Sequence, residues 1–265
     1  MNDPSPGAHP LTGQEAVDEL AEAIVNARQV VVLTGAGVSV PSGIPDFRTP
    51  ETGIWANVNP AEVAHISVFR NDPERFWEFY GARFATLGET KPNAAHRALA
   101  ELEEAGHVKA VVTQNIDRLH HMAGTRRLIE VHGTIEHSDC LMCGRRYELG
   151  WVRRQAELHG IPGCEDCESH PPLKPAVVLF GEMLPEAELA EAFALCGAAD
   201  LMLAIGSSLV VHPVAGLPDV TLRAGGRLAL ITSGETPYDE DAFVKLAGDV
   251  ENEMTALLEA VRARA

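Results

Sequence analysis

The chain has 265 residues, of which 46% are hydrophobic and 22% are charged, a composition typical of a globular protein with one large domain, or a large domain and a small insert. Its 21 Lys and Arg residues against 38 Asp and Glu residues give a net charge of −17. This negative charge disfavours contact with nucleic acid or anionic membranes. It would attract a basic protein substrate, or simply keep the protein soluble. No apolar run reaches the ~18 to 20 residues of a membrane helix, and residues 1–13 do not resemble a signal peptide, so we predict a cytoplasmic protein with no direct nucleic-acid or membrane partner.

The first predicted helix follows a polar N-terminus. Residues 1–11 are rich in Pro, Gly and polar side chains, and we expect residues 1–13 to be disordered. Thr12 with Glu15 fits a capping box that opens a helix. The apolar positions that follow fall at helical spacing: Val17, Leu20, Ile24 and Ala27.

Four apolar runs, each followed by polar or Gly-rich residues, predict buried strands. They are VVVLT at 30–34, KAVVTQNID at 109–117, LMLAIGSSLV at 201–210 and RLALITSGET at 227–236. Helix-like segments such as 92–105 and 186–196 lie between them. Strands that alternate with helices predict a parallel sheet covered on both faces, and ligands bind such sheets at the carboxyl ends of the strands.

Two segments interrupt this alternation. Residues 53–90 are rich in aromatic side chains and predict a helical module, whereas residues 135–173 contain four cysteines and little apolar sequence. We expect both to leave the main sheet and form a second, smaller lobe. The large domain is then discontinuous, with residues 14–52, 91–134 and 174–265.

The four cysteines predict one structural zinc ion. Cys140, Cys143, Cys164 and Cys167 form C-x2-C-x20-C-x2-C, which is close to the spacing of a zinc ribbon. Four protein ligands leave no open position for water, and such a closed site is structural. Two disulfides are the alternative, which a reducing cytoplasm disfavours. Cys196 lies in an apolar helical segment and is expected to be a core residue.

The turn after the first strand predicts a site for a dinucleotide. Gly35-Ala36-Gly37 would let the backbone approach a pyrophosphate, and the following helix N-terminus would offer free amides. The full G-x-G-x-x-G pattern is absent because position 40 is Val, and no acidic residue follows at the distance of ~20 residues that a hydride-transferring dehydrogenase requires. A different use of the dinucleotide is therefore favoured.

The longer motif GAGVSVPSGIPDFR at 35–48 resembles the signature of the sirtuin family. Later segments match further sirtuin motifs in the same order: TQNIDRLHHMAG (113–124), EVHGT (130–134), the four cysteines, VVLFGEMLP (177–185), GSSLVVHPVAGLP (206–218) and GETPYD (234–239). The resemblance runs from about residue 14 to about residue 250 and is greatest to bacterial and archaeal deacetylases. It implies an α/β fold with a Rossmann-like parallel sheet domain and a smaller lobe made of a zinc ribbon and a helical module.

The resemblance also implies that NAD binds between the lobes as a co-substrate. Asp117 would accept a hydrogen bond from the nicotinamide carboxamide, and Phe47 would shield the nicotinamide. The full set of cofactor-binding residues it implies is Gly35, Ala36, Gly37, Val40, Asp46, Phe47, Arg48, Gln114, Asn115, Ile116, Asp117, Gly206, Ser207, Ser208 and Thr232.

His132 matches the catalytic histidine of the family, with Asn115 and Asp117 completing the catalytic set. In the family reaction the acyl-lysine carbonyl oxygen displaces nicotinamide, and the histidine then acts as general base on a ribose hydroxyl. The products are free lysine, nicotinamide and O-acetyl-ADP-ribose. An acyl-lysine protein would bind as an added strand against Val178, Leu179, Phe180, Gly181 and Glu182 on one side and Val210 on the other.

Some positions depart from the family pattern or leave alternatives open. Val40 is bulkier than usual, Thr232 stands where Asn is common, and His212 stands where Tyr is common. Tyr80 and Arg83 have the Tyr-x-x-Arg spacing of desuccinylating members and could bind an acyl carboxylate, although IPDFR is typical of deacetylases. A protein mono-ADP-ribosyltransferase and a non-catalytic binding module are the other hypotheses; the intact motifs disfavour both.

Overall fold

The computed structural model describes residues 11–47, 49–54, 56, 58–87 and 89–265. The disorder predicted for residues 1–10 and the cofactor role predicted for Arg48 lie outside these residues. Helices and strands are numbered below in chain order.

Six parallel strands form the main sheet, in the order β3-β2-β1-β7-β8-β9. Counting only these six strands along the chain, the order is 3-2-1-4-5-6, the arrangement of a Rossmann domain. The four strands predicted from sequence are confirmed, and β3 and β9 are two edge strands that the prediction missed. The strands are β1 (Val30–Thr34), β2 (Val108–Thr113), β3 (Leu128–Glu130), β7 (Leu201–Ile205), β8 (Arg227–Ile231) and β9 (Val244–Leu246).

Helices cover both faces of this sheet. Alternate residues of β1 point to opposite faces, so that Val30 and Val32 pack in one core and Val31 and Leu33 in the other. The first core includes α1 (Gly13–Asn26), α5 (Ala94–Glu104) and α10 (Val250–Arg262); the second includes α8 (Glu186–Gly197) and α9 (Leu217–Arg223). The short helix α6 (Leu119–Ala123) follows β2.

The start of α1 differs from the prediction. Thr12 occupies the N-cap position, but its side chain makes no capping hydrogen bond, so the predicted capping box with Glu15 is wrong. Leu11 pairs with Val244 at the edge of the sheet and α1 begins at Gly13, so the disorder predicted for residues 11–13 is wrong. A capping box does open α5, where Asn93 and His96 exchange side-chain and backbone hydrogen bonds.

The smaller lobe contains a three-stranded antiparallel sheet in the order β5-β4-β6, with its own apolar core. Trp77 is buried in that core and donates from Nε1 to the carbonyl of Leu173 at 3.2 Å, which ties the helices of 60–87 to the ribbon. The elements are α2 (Pro60–Val63), α3 (Ile66–Asn71), α4 (Pro73–Leu87), β4 (Gly133–Cys140), β5 (Arg146–Glu148), α7 (Leu149–His159) and β6 (Leu173–Val177).

Over the described ranges, none of the helices is both long and apolar enough to cross a membrane.

Candidate active site

The glycine turn lies at the switch point of the main sheet, between the carboxyl ends of β1 and β7. The amide of Gly37 donates to the carbonyl of Gly206 at 2.8 Å, and a Cβ built on Gly37 would lie 2.7 Å from the Gly206 Cα. Only glycine allows the two loops to approach so closely. Ligands bind Rossmann-like sheets at this point.

The helix predicted after the turn is present as a 3₁₀ helix, Ala36–Ser42. Pro41 lies inside it. The prediction that the start of this helix offers free amides does not hold for Gly37 and Val38, whose amides donate to the carbonyls of Gly206 and Gly35. Val40 is 44% exposed on this helix.

Ser39 is the centre of a buried polar network beside the turn. Its Oγ donates to Asp117 Oδ2 at 2.6 Å and accepts from Asn115 Nδ2 at 3.1 Å. The Asn115 amide also donates to the Gly35 carbonyl at 3.1 Å, and Asp117 Oδ1 accepts from the Leu119 amide at 2.9 Å. Burial raises the pKa of Asp117, an effect that the Ser39 hydrogen bond opposes. Two residues predicted to be catalytic are thus held together by a serine that the sequence analysis did not select.

His96 joins this network from the start of α5. Its Nδ1 accepts from the backbone amide of Asn93 at 3.4 Å, so Nε2 carries the ring proton and faces Ser39 Oγ at 3.4 Å. Burial lowers the pKa of His96 to about 4, and the ring is neutral at pH 7. The direction of donation therefore runs from Asn93 through His96 and Ser39 to Asp117.

Replacing Ser39 with Ala is expected to lower the free energy of unfolding by about 1–3 kcal/mol, since it leaves buried donor and acceptor atoms on Asn115 and Asp117 without their partner. Urea denaturation of the wild-type and variant proteins measures the difference. Thr255→Ala is a suitable control, because the Thr255 hydroxyl makes an exposed hydrogen bond to the carbonyl of Glu251 within its own helix. A Ser39→Ala variant as stable as that control would show that water replaces the serine hydroxyl.

A second buried chain of hydrogen bonds joins β1, β2 and α6. Thr34 Oγ1 donates to Thr113 Oγ1 at 2.8 Å and so accepts from His120 Nε2 at 2.9 Å. Thr113 Oγ1 accepts the amide of Asn115 at 3.1 Å. Burial lowers the pKa of His120 to about 3, and its ring meets that of His96 edge to face at 4.8 Å. Sequence reasoning missed these residues, because only their packing distinguishes them from ordinary strand and helix residues.

His132 follows β3 and has a defined tautomer. Its Nδ1 lies 3.0 Å from the carbonyl oxygen of Gln114, which can only accept, so Nδ1 carries the proton and Nε2 is the basic nitrogen. Burial lowers the pKa of His132, partly offset by this hydrogen bond. The side chain of Gln114 donates to Ser207 Oγ at 2.8 Å. The structure thus links His132, Gln114 and Ser207 across the ends of the central strands.

A partly buried carboxyl, Glu130, lies two residues before His132. Burial raises the pKa of Glu130 to about 7; the nearby carboxylates of Glu136 and Asp117 add to the rise, and the hydrogen bond to Thr134 and the charge of Arg118 oppose it. Arg118 itself pairs with Glu136 at 2.8 Å. This group was not among the residues selected from the sequence.

The other predicted cofactor residues lie on surrounding loops. Asp46 accepts the amide of Thr49 at 2.7 Å, and its own carbonyl accepts the amide of Ile54 at 2.8 Å. The amide of Thr232 donates to Leu246 at 2.9 Å. The side chains of Phe47, Ile116, Ser208 and Thr232 are partly buried.

The segment 178–182 lies just beyond β6, between His132 and the helical module. The amide of Val178 donates to the carbonyl of His132 at 2.8 Å. Phe180 exchanges backbone hydrogen bonds with Ala64 and Ile66 at 3.0 and 2.9 Å. Phe180 and Val210 are 47% and 49% exposed, large fractions for apolar side chains.

Tyr80 and Arg83 pack among the aromatic side chains of α4. The ring of Tyr80 stacks on Phe76 with centroids 4.5 Å apart. The Arg83 guanidinium lies 3.4 Å from the centroid of Phe79 and donates to the Phe79 carbonyl at 2.8 Å. Burial raises the pKa of Tyr80 and lowers that of Arg83. Both polar groups thus have a packing role on their own helix.

The four predicted zinc ligands converge on one point. The Sγ atoms of Cys140, Cys143, Cys164 and Cys167 all lie within 4.8 Å of one another, with pairs at 3.6 and 3.9 Å. These separations exclude disulfides and match the ~3.8 Å between thiolates that a tetrahedron with Zn–S bonds of about 2.3 Å requires. Cys196 is buried in the main domain, as predicted.

Comparisons with known proteins agree with this geometry. Residues 35–213 match the family model described as the Sir2 family. The NAD-dependent protein deacetylase of Thermotoga maritima is 44% identical over 232 residues, which cover 88% of this chain and 93% of that protein. A structure of Sir2 with a deacetylated p53 peptide and 3′-O-acetyl-ADP-ribose is 42% identical, with a TM-score of 0.88, and covers 92% of this chain and 97% of that chain. A Sir2 complex with a p53 peptide and NAD+ is also 42% identical, with a TM-score of 0.84, and covers 91% and 96%.

Proposed function

Because the chain belongs to the Sir2 family, we propose that it acts as an NAD-dependent protein-lysine deacetylase that releases deacetylated lysine, nicotinamide and O-acetyl-ADP-ribose. The observation that carries this proposal is the position of His132. His132 follows β3, and its Nδ1 is held by the carbonyl of Gln114, which directly precedes the buried Asn115 and whose side chain bonds Ser207 in the loop after β7.

The direct test is incubation of the protein with NAD and an acetyl-lysine peptide. Release of nicotinamide, with formation of deacetylated peptide and O-acetyl-ADP-ribose, is the expected result, measured by mass spectrometry. No release of nicotinamide would overturn the proposal. Label from NAD that accumulates on protein instead would favour the mono-ADP-ribosyltransferase hypothesis.

NAD would be held by the residues gathered at the switch point. The close approach of Gly35 and Gly37 to Gly206 brings the loops after β1 and β7 together at the point where we propose that the pyrophosphate binds. Buried Asp117 keeps a fixed orientation through Ser39 and Leu119, which suits it to accept from the nicotinamide carboxamide. The remaining proposed contacts are Ala36, Val40, Asp46, Phe47, Arg48, Gln114, Asn115, Ile116, Ser207, Ser208 and Thr232.

The proposed role of His132 is that of a general base. NAD, when bound, supplies the ribose carbon to which the acyl oxygen is transferred. The lone pair of His132 Nε2 accepts a proton from a ribose hydroxyl, and the carbonyl of Gln114 stabilises the imidazolium through Nδ1–H. The lowered pKa keeps the imidazole neutral, and hence basic, at pH 7.

The acyl-lysine peptide is proposed to add as a strand between the segment 178–182 and Val210. Backbone hydrogen bonds fix the segment on the side of His132 and of the helical module, and the exposed side chains of Phe180 and Val210 lie on the surfaces that a peptide would cover. Main-chain pairing gives affinity with little sequence preference, which fits an enzyme that acts on several proteins. A cytoplasmic location, where thiols stay reduced, is part of the same proposal.

The contacts of Arg83 favour an acetyl group over a succinyl group. Its guanidinium lies over the ring of Phe79 in a cation–π contact and donates a hydrogen bond to the Phe79 carbonyl. Arg83→Ala is therefore expected to leave kcat/KM for an acetyl peptide within about two-fold of wild type, because an uncharged acyl group offers no carboxylate for a guanidinium fork. Parallel assays with acetyl, propionyl and succinyl peptides check this.

The control for that panel is Arg70→Ala, which removes an arginine of the neighbouring helix α3. Succinyl activity that exceeds acetyl activity in the wild type and is lost in Arg83→Ala alone would establish the desuccinylase alternative, with Tyr80 and Arg83 as its carboxylate site.

One structural zinc ion is held by the four cysteine thiolates. We propose that it stabilises the small lobe, formed by residues 53–90 and 135–173, against the discontinuous large domain. The shared apolar core supports this division, since Trp77 from one segment and Tyr147 and Leu173 from the other pack in a single cluster.

A further inference from the structure

A mostly buried ion pair closes the segment 178–182. Lys174, in β6, is 9% exposed, and its Nζ lies 2.9 Å from Glu182 Oε2. The same ammonium donates to the carbonyls of Pro175 at 3.1 Å and Val177 at 2.8 Å. An ammonium has three hydrogens, so these three acceptors satisfy it completely.

Glu182 connects this ammonium to the turn that follows the strand. Its Oε2 also accepts the amide of Leu179 at 2.9 Å, and its own amide donates to the Leu179 carbonyl at 3.0 Å. The turn is therefore closed twice, by main chain and by side chain. The Glu182 side chain is 25% exposed, and its Oε2 interacts with the Lys174 ammonium and the Leu179 amide.

We propose that Lys174 and Glu182 are a positioning pair that holds the segment 178–182 in the conformation that binds the acyl-lysine peptide, an inference that rests on the proposed function. Leu179 anchors the start of this turn in the small-lobe core, whereas Met183, just after it, is 91% exposed and adds little packing at its end. A segment ordered before binding costs less conformational entropy when the peptide adds to it. Glu182 thus acts on substrate binding through the backbone it fixes.

The pair should behave as a unit. Without Glu182, the Lys174 ammonium keeps two carbonyls but no counter-charge; without Lys174, the Glu182 carboxylate keeps one amide. Each single loss leaves an uncompensated charge in a poorly hydrated place and releases the same turn. Because the two residues share one interaction, the double variant should differ little from either single variant.

The test compares Glu182→Gln, Lys174→Met and the double variant in the full-length, zinc-loaded protein. Peptide affinity is measured by fluorescence anisotropy with a labelled acetyl-lysine peptide, and kcat and both KM values by nicotinamide release. We expect the peptide Kd and KM to rise roughly ten-fold in all three variants, with coupling that makes the double no worse than the singles. The values of kcat and of the KM for NAD are expected to stay within about two-fold, as for a change confined to substrate binding.

A matched control is the pair Lys245–Asp239, whose Nζ–Oδ2 distance is 2.6 Å and whose side chains are 13% and 31% exposed, close to the 11% and 25% of Lys174 and Glu182. Lys245→Met should lower the Tm to a similar degree and leave the peptide Kd unchanged.

Two results would overturn the positioning role. One is a peptide Kd that stays within two-fold of wild type in the isosteric Glu182→Gln variant. The other is a double variant whose loss is the product of the two single losses. Anisotropy measures peptide binding without turnover, and so tests the positioning role separately from catalysis. A wild-type protein that binds the peptide but releases no nicotinamide would overturn only the proposed function.

Discussion

Replacing His132 with Ala is expected to lower kcat by roughly 10³-fold, because general-base catalysis by a positioned side chain typically contributes 10²- to 10⁴-fold. The fold should tolerate the change. The carbonyl of His132 accepts from Val178 through the main chain, which the substitution retains, and the imidazole makes one hydrogen bond, to Gln114. The measurement is nicotinamide release under saturating NAD and peptide, together with Tm and zinc content.

The control for His132→Ala is His121→Ala, which removes an exposed imidazole from α6 and should leave kcat unchanged. A His132→Ala protein that keeps its Tm and also keeps kcat within ten-fold of wild type would show that another group removes the proton. If the Tm of His132→Ala falls, His132→Asn serves as a second variant, because it keeps a polar side chain at the site. A fall in kcat without a fall in Tm in His132→Asn would then be a loss of catalysis and not of stability.

The pH profile offers a second measure of the same residue. Burial lowers the pKa of His132, so protonation of the base occurs below the value of ~6.5 for an ordinary imidazole. Activity should therefore be constant through neutral pH and fall only on the acid side, as the pH drops through the lowered pKa. A profile of kcat/KM that bends above pH 7 on the acid side would assign the base to a different group, and Glu130, whose pKa is raised to about 7, would be the first to examine.

The sequence predicted the parts of the fold that depend on local pattern. The buried runs at 30–34 and 201–205 are five residues long and wholly apolar or β-branched up to their last residue, and both are central strands. The strands β3 and β9 are three residues long and were missed, because such short runs carry no periodic signal and gain their order from the sheet edge they join. The zinc ligands were found because C-x2-C spacing is itself a geometric constraint.

The site was predicted less completely, for a physical reason. Asn115, Asp117 and His132 were found through a motif, but the orientation of Asn115 and Asp117 depends on Ser39, which His96 contacts in turn. The orientation of His132 depends on the carbonyl of Gln114, 18 residues earlier in the chain. Long-range hydrogen bonds of this kind leave no periodicity in the sequence. The same limit applies to Glu182, whose inward orientation depends on a lysine eight residues earlier that the apolar pattern of β6 gave no reason to select.

Removal of zinc is expected to abolish both the fold of the small lobe and the activity. Cys140 and Cys164 are buried in the small-lobe core, and all four Sγ atoms lie within 4.8 Å of one another, a spacing at which thiolates without a cation between them would repel one another. Zinc binding to structural sites has an apparent free energy of about 10–16 kcal/mol in small zinc-finger peptides, as large as the whole stability of a typical domain, about 5–15 kcal/mol. Cys164→Ser, or treatment with a chelator, should therefore expose Trp77 and Trp151 of the same core and shift their fluorescence.

The decisive comparison is the order of events as metal leaves. If zinc supports the cleft only through the small lobe, loss of nicotinamide release should follow the tryptophan fluorescence change at every chelator concentration, and the α-helical signal of the main domain should persist longer. Cys196→Ala is the control; its thiol lies in the core of the main domain, so that variant should still bind one zinc per chain. Metal-free protein with native fluorescence but no activity would contradict this structural role, which is the role expected of a site closed by four thiolates.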